Sequence, residues 1–183
     1  HGGEENLIGL AHYAAHHLGG REVSVPPLVE KPQSGFFHHD EKVFESLEAF
    51  EEFQSVRGYG PESEMPKIAL LGSFMDPQDT HNRAPVDAVL RALENGGARV
   101  YPMFGRAEML SRLQRVEPDL VLTFPHGRFS RGGEGEAVLK ELDCPIVSAL
   151  PLLSSRDEWL QDERGMVGGF MGQSITAPEL DGI

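Results

Sequence analysis

Histidine is the side chain that binds a metal or moves a proton near neutral pH, and this 183-residue chain carries eight of them. His12 and His16 stand four apart, a helical spacing at which two imidazoles can share a zinc ion. They fall opposite the apolar positions Leu7 and Ala14, however, and so read first as a solvated face. His38 and His39 are adjacent and precede Asp40. Consecutive residues of an extended chain point to opposite sides, so this trio reads as surface with Asp40 capping a following helix, the alternative being a ligand site. His81 and His126 fall in two separate loops, with Arg128 and Arg131 beside the second. Such cationic groups in an acidic protein suit the recognition of carboxylates, or else are simply solvated.

The balance of 16 Lys+Arg against 29 Asp+Glu gives a net charge of -13, which repels phosphate backbones and anionic lipid. Nucleic-acid and membrane partners are therefore not expected. The single cysteine, Cys144, excludes an intramolecular disulfide and any multi-cysteine zinc site, and points to a reducing, cytoplasmic setting. There is no G-x-x-x-x-G-K-[ST] and no G-x-G-x-x-G after the first strand, so no bound nucleotide or other cofactor is expected in this chain. Asp76 and Asp79 do not make the acid cluster of a receiver-type phosphoacceptor. The chain opens on His1 and stops at Ile183 just after an Asp-Gly pair, which reads as an excised piece of a larger protein.

The elements that must position these residues follow from apolar spacing. Leu7, Leu10, Ala11, Ala14 and Leu18 predict a helix over 4–18 closed by Gly19-Gly20. Val43, Phe44, Leu47, Phe50 and Phe53 predict a second, ending near Gly58. Beyond a linker at 58–66, apolar runs at 68–71, 99–104, 120–124 and 146–150 alternate with helical stretches, the pattern of βα units on a parallel sheet. A further short helix is expected at 157–162. The fold class is thus α/β: a flavodoxin-like open parallel sheet of about four strands in order 2-1-3-4, with two additional amino-terminal helices. Pro102 cannot donate a ladder hydrogen bond, which predicts that the 99–104 strand lies at an edge. Three regions follow: a helical segment at 1–60, the α/β domain at 66–164, and a glycine-rich connection at 165–183. The switch point between the first and third strands makes loops 73–83 and 125–134, hence His81, His126, Arg128 and Arg131, the expected substrate-binding crevice, with His38 and His39 approaching the same edge. The four glycines within 165–172 predict a loop and turn.

Several short motifs occur in one order: Gly2-Gly3-Glu4-Glu5-Asn6-Leu7, Gly35-Phe36-Phe37-His38, Gly97-Ala98-Arg99-Val100-Tyr101-Pro102, Cys144-Pro145, Asp157-Glu158-Trp159 and Pro178-Glu179-Leu180-Asp181-Gly182. With them the chain resembles the large subunit of cobaltochelatase and the H subunit of magnesium chelatase, over nearly its whole length. The resemblance implies a fragment, inactive alone, of the tetrapyrrole-binding subunit of a metal chelatase. It further implies ATP and Mg2+ used by separate AAA+ partner subunits, and a divalent metal as substrate, cobalt ahead of magnesium. The run 165–174 leans toward cobaltochelatases and 148–152 toward magnesium chelatases. Glu179 and Asp181 are the acids that match a family motif, and the chemistry of stripping pyrrole protons makes them the catalytic candidates. The competing class is a binding module of flavodoxin-like fold that holds a ligand or partner and does no chemistry.

Overall fold

The computed structural model describes residues 3–40, 42–72, 75, 77, 80–105, 108–124, 134–149 and 154–180. Its centre is a run of four parallel strands: β3 (Lys67–Gly72), β4 (Arg99–Phe104), β5 (Leu120–Phe124) and β6 (Ile146–Ser148). Before them stand α1 (Glu4–His17), β1 (Gly35–Phe37), β2 (Val43–Phe44) and α2 (Leu47–Val56). Between them run α3 (Thr80–Asn95), α4 (Met109–Val116) and α5 (Glu134–Leu142). After β6 come α6 (Arg156–Gln161), α7 (Gly168–Met171), a π turn at Gly172–Thr176 and α8 (Ala177–Leu180).

The sheet has six strands in order β2-β1-β4-β3-β5-β6. Its parallel part, β4-β3-β5-β6, keeps the expected 2-1-3-4 order. The expectation of a purely parallel sheet with the Pro102 strand at its edge is overturned, because β1 pairs antiparallel with β4 and carries β2 on its far side. The rule behind it survives locally. The β1–β4 register runs from Gly35↔Phe104 to Phe36↔Met103 and stops one residue short of Pro102. On its other side Pro102 is in register with Leu70 of β3. A proline is tolerated within a sheet where a neighbouring ladder ends. The segment expected to be helical at 1–60 thus contributes two strands, and Val43 and Phe44 belong to β2 rather than to the second helix. Ser46, not Asp40, caps α2, its Oγ accepting the Ala49 N–H at 3.2 Å. The glycine-rich run, expected as a loop, is helical in α7 and the π turn that follows it.

Alternation along the strands divides the core into two layers. Ala69, Leu71, Tyr101, Met103 and Val121 pack with Phe36, Phe50, Leu113 and Val116 under α2 and α4. Ile68, Leu70, Val100 and Phe104 pack with Phe37, Val86 and Leu90 under α3. Helices on both faces explain why β4 is buried at every position and reads as a continuous apolar run after Arg99. By contrast α1 buries none of its residues. It is held to the segment after it by polar bonds: Asn6 exchanges two hydrogen bonds with the Val29 backbone, His12 Nδ1 lies 2.8 Å from Ser24 O, and His16 Nδ1 lies 3.2 Å from Arg21 O. The two histidines serve as clamps to the loop rather than as a shared metal site.

Gly35 opens β1 at φ +155°, where a Cβ would stand 2.2 Å from the Phe44 carbonyl oxygen across the hairpin. Gly35→Ala is therefore expected to destabilise the fold by more than about 1 kcal/mol, read as a lowered urea midpoint. The buried Tyr101 hydroxyl donates to Glu51 Oε1 at 3.2 Å and accepts from Arg99. Burial pushes its pKa up to about 12, with Arg99 opposing and Glu51 adding to the rise. The folded state then holds this proton more tightly than the unfolded chain, whose tyrosines titrate near 10. The resulting stability is complete below about pH 10 and lost as pH rises toward 12. Ultraviolet titration of phenolate, wild type minus Tyr101→Phe, should show the Tyr101 step well above pH 10, together with unfolding; a Tyr101 step near pH 10 in folded protein would refute this.

Candidate functional site

The polar cluster that stands out in the core begins with a carboxylate in an unfavourable place. Glu94 lies one residue from the end of α3, where the helix dipole presents its negative pole, and it is 6% exposed. It is four residues after Leu90, on the stripe that faces the sheet. The helix closes directly behind it: Gly97, at φ +84°, donates to Glu94 O at 2.9 Å and Ala98 to Leu93 O at 3.1 Å, a Schellman ending.

Three cationic or potentially cationic side chains converge on this carboxylate. Arg57, from the end of α2, grips it with both nitrogens at 3.1 Å. Gln54 holds the same guanidinium at 2.8 Å while donating to Val100 O at 3.3 Å, which ties the arginine to the edge of β4. His38 Nε2 lies 3.2 Å from Glu94 Oε1, and His39 Nε2 lies 3.1 Å from Glu94 Oε2. Burial alone would raise the Glu94 pKa, but the His38 and Arg57 bonds and charges outweigh it and hold the carboxyl well below the usual carboxylate range. The Glu94 pairing raises that of Arg57 against the lowering effect of burial.

That two neighbouring histidines face the same group requires an exception to strand alternation. β1 ends at Phe37, and His38 and His39 fall in the turn to β2, closed by His38 N donating to Lys42 O at 2.9 Å. The turn brings the two rings to a 3.9 Å centroid separation, with Phe53 edge-on to His38 at 5.0 Å. Asp40 stands on the other side of both rings: its Oδ2 is 3.4 Å from His38 Nδ1 and its Oδ1 is 3.0 Å from His39 Nδ1. His38, His39 and Glu94 each offer a ligand atom, all within 4.8 Å of one another.

Of the expected site residues, the structure brings His38 and His39 together, on Glu94. Because β1 runs antiparallel to β4, the chain after Phe37 heads toward the amino ends of the parallel strands, and Glu94 lies at the end of α3 that leads into β4. Residues 73–79 and 125–133 follow the carboxyl ends of β3 and β5, the opposite ends of those strands. His81 is in the first turn of α3, its side chain outside the described residues, and His126, Arg128, Arg131 and Asp181 also lie outside them. Glu179 is exposed in α8. The sequence reading missed Glu94, Arg57 and the role of Asp40. The available signal was a charged residue on an apolar helical stripe, at i+4 from Leu90.

A family profile described as CobN/Magnesium Chelatase matches residues 1–183. The magnesium-chelatase H subunit of Chlorobaculum parvum is 26% identical over 196 residues, covering 97% of this chain and 15% of that protein. The aerobic cobaltochelatase CobN subunit of Sinorhizobium sp. is 28% identical over 108 residues, covering 54% of this chain and 8% of that protein. The fold of the catalytic subunit of cobaltochelatase from Mycobacterium tuberculosis matches with a TM-score of 0.58 at 22% identity, over 98% of this chain and 15% of that one. The chain thus spans less than a sixth of the length of these proteins.

The cluster makes a stability prediction. Glu94→Gln removes the charge that neutralises Arg57, and breaking a buried pair of this kind should cost roughly 3–5 kcal/mol in urea unfolding. A carboxyl whose folded pKa is lowered stabilises the fold above its unfolded value, and that contribution is lost as pH falls. The gap between wild type and Glu94→Gln should accordingly narrow as the solution is acidified through and below the ordinary carboxylate range. A gap independent of pH would show that the charge contributes nothing.

Proposed function

As this chain belongs to the CobN/magnesium chelatase family over residues 1–183, we propose that it forms part of the large, tetrapyrrole-binding subunit of an ATP-dependent metal chelatase. The observation that carries this reading is a family match along the entire chain, with similarity to the magnesium relative spread over 97% of it. Cobalt insertion into a corrin precursor is favoured over magnesium insertion into protoporphyrin. The support is chemical: two imidazoles beside a buried carboxylate suit a d-block ion, whereas magnesium takes oxygen ligands. With no phosphate-loop motif in the sequence, ATP and its Mg2+ are assigned to separate AAA+ subunits.

Within such a subunit the loops beyond the carboxyl ends of β3 and β5 are the natural place for a ligand of an open α/β sheet. His126, Arg128 and Arg131, with His81, would meet the carboxylates of a tetrapyrrole there, and Glu179 and Asp181 would accept protons from it. A second reading, a binding module without chemistry of its own, is favoured by the 15% share of the magnesium relative that the chain spans.

Titrating the chain into a soluble porphyrin and following the Soret band tests both. A weak, saturable shift is expected, because one crevice encloses only part of a macrocycle. Arg128→Ala/Arg131→Ala should weaken it by at least about tenfold if two charge-assisted carboxylate contacts are lost. Equal shifts in the two proteins would remove the arginines from the site. No shift at any concentration would leave the chain as a scaffold or docking surface.

A further inference from the structure

We propose that His38 Nε2, His39 Nε2 and a Glu94 carboxylate oxygen form a binding site for a divalent first-row transition-metal ion, with Asp40 orienting both imidazoles. The spacing fits. Two donors each about 2.1 Å from a tetrahedral ion lie about 3.4 Å apart; His38 Nε2 is 3.2 Å from Glu94 Oε1 and His39 Nε2 is 3.1 Å from Oε2, so each imidazole has one carboxylate oxygen at that spacing. All three donor atoms fall within 4.8 Å, so sub-ångström to ångström closures of side chains complete the geometry. Two imidazoles and one carboxylate leave a fourth position open and select cobalt, nickel or zinc over magnesium.

The other face of the rings supplies an independent reason. His39 Nδ1 is buried and makes no hydrogen bond, although Asp40 Oδ1 is only 3.0 Å away. A metal on Nε2 of a neutral imidazole puts the ring proton on Nδ1, the side on which the Asp40 carboxylate stands, and a small rotation of Asp40 would complete a hydrogen bond there. The same shift at His38 exchanges the Asp40 N–H bond to Nδ1, 3.1 Å, for one from Nδ1–H to Asp40 Oδ2, now 3.4 Å away. One carboxylate behind two metal-bound imidazoles is the arrangement that fixes tautomer and ring orientation in metal sites. In a neutral ring the proton changes nitrogen and none is lost; an imidazolium releases one proton on ligation.

Arg57 holds the place of the cation on Glu94, and it is the group an ion would displace. Its side chain is 25% exposed and lies against the faces of Phe53 and Tyr59, at 5.3 and 5.4 Å, contacts that do not depend on the carboxylate and could persist when an ion takes it. The exchange replaces one positive partner by another, so Glu94 is neutralised throughout. That the ion is the metal destined for insertion rests on the chelatase reading; the binding site itself does not.

The test is Co2+ titrated into the full chain with excess Mg2+ present, read by the visible ligand-field absorption of low-coordinate cobalt. Saturable one-to-one binding, reversed by Zn2+, is expected. Glu94→Gln and His39→Gln should each weaken it by more than about tenfold, and Asp40→Asn by about 10–100-fold with unchanged stoichiometry. Arg57→Ala should bind more tightly than wild type, an effect that a purely structural salt bridge does not produce. Should Glu94→Gln fail to fold, His39→Gln, which leaves the Glu94–Arg57 fork in place, decides. No saturable absorption, equal affinity in wild type and His39→Gln, or weaker binding in Arg57→Ala would overturn the site. Porphyrin titration is a separate readout: cobalt binding without a Soret shift retains this site and counts against the tetrapyrrole reading, and the reverse result does the opposite.

Discussion

A buried anion at the wrong end of a helix is the constraint around which this fold is organised. Glu94 opposes the dipole of α3 and is nearly out of reach of water, two costs that only close positive partners offset. Those partners come from elements far apart in sequence: Arg57 from the end of α2, His38 and His39 from the turn after β1. The carboxylate therefore pins the amino-terminal segment to the α/β unit. It does so where β1 has only a short ladder on β4, two registered pairs, to hold it there. Polar convergence supplies what that short ladder cannot.

The apolar side of the same junction is aromatic. Phe36 stacks on Phe50 at 5.3 Å, Phe44 meets Phe50 edge-on at 5.4 Å, and Phe44 and Phe53 lie 5.0 Å apart. Pairs of this kind add about 0.5–1.5 kcal/mol each beyond burial of area. Phe53 joins the two sides, since His38, Lys42 and Arg57 all pack against its ring. The β1–β2 hairpin extends the sheet beside β4 and α2 covers one face of that extension, with an aromatic interior and a charged rim at Glu94.

The parallel core was legible in the sequence because each strand is an apolar run flanked by turn residues, and β3, β4 and β5 begin and end close to where those runs do. Their order followed from crossover handedness. The antiparallel extension was not legible. Val43 and Phe44 fit the helical spacing of Leu47, Phe50 and Phe53, and two residues of strand leave no alternation to detect. Pro102 misled because the edge rule concerns a missing donor, and the local end of the β1 ladder satisfies it as well as a true edge does. His38 and His39 could be named as candidates, but their convergence depends on a turn that breaks alternation, and Glu94 is separated from them by more than fifty residues. Glycines at 165–172 signalled flexibility, yet helical turns form there with none of the described residues buried to explain their placement.

The two ends of the sheet are not independent. α3 starts in the loop that leaves the carboxyl end of β3 and finishes at Glu94, so a rigid element joins the crevice to the histidine turn. Arg83, in the early part of that helix, strengthens the connection. Its Nε meets Asp87 at 2.7 Å, one terminal nitrogen donates to Pro77 O at 3.1 Å and the other to His38 O, while its guanidinium lies 4.9 Å from the centre of the Phe37 ring. One side chain therefore touches the loop after β3 and the backbone of the residue whose imidazole faces Glu94. An arginine held by a carboxylate, two carbonyls and a ring has little freedom to move alone. The geometry joins the two regions through α3 and Arg83, although ten or more residues of helix separate Arg83 from Glu94.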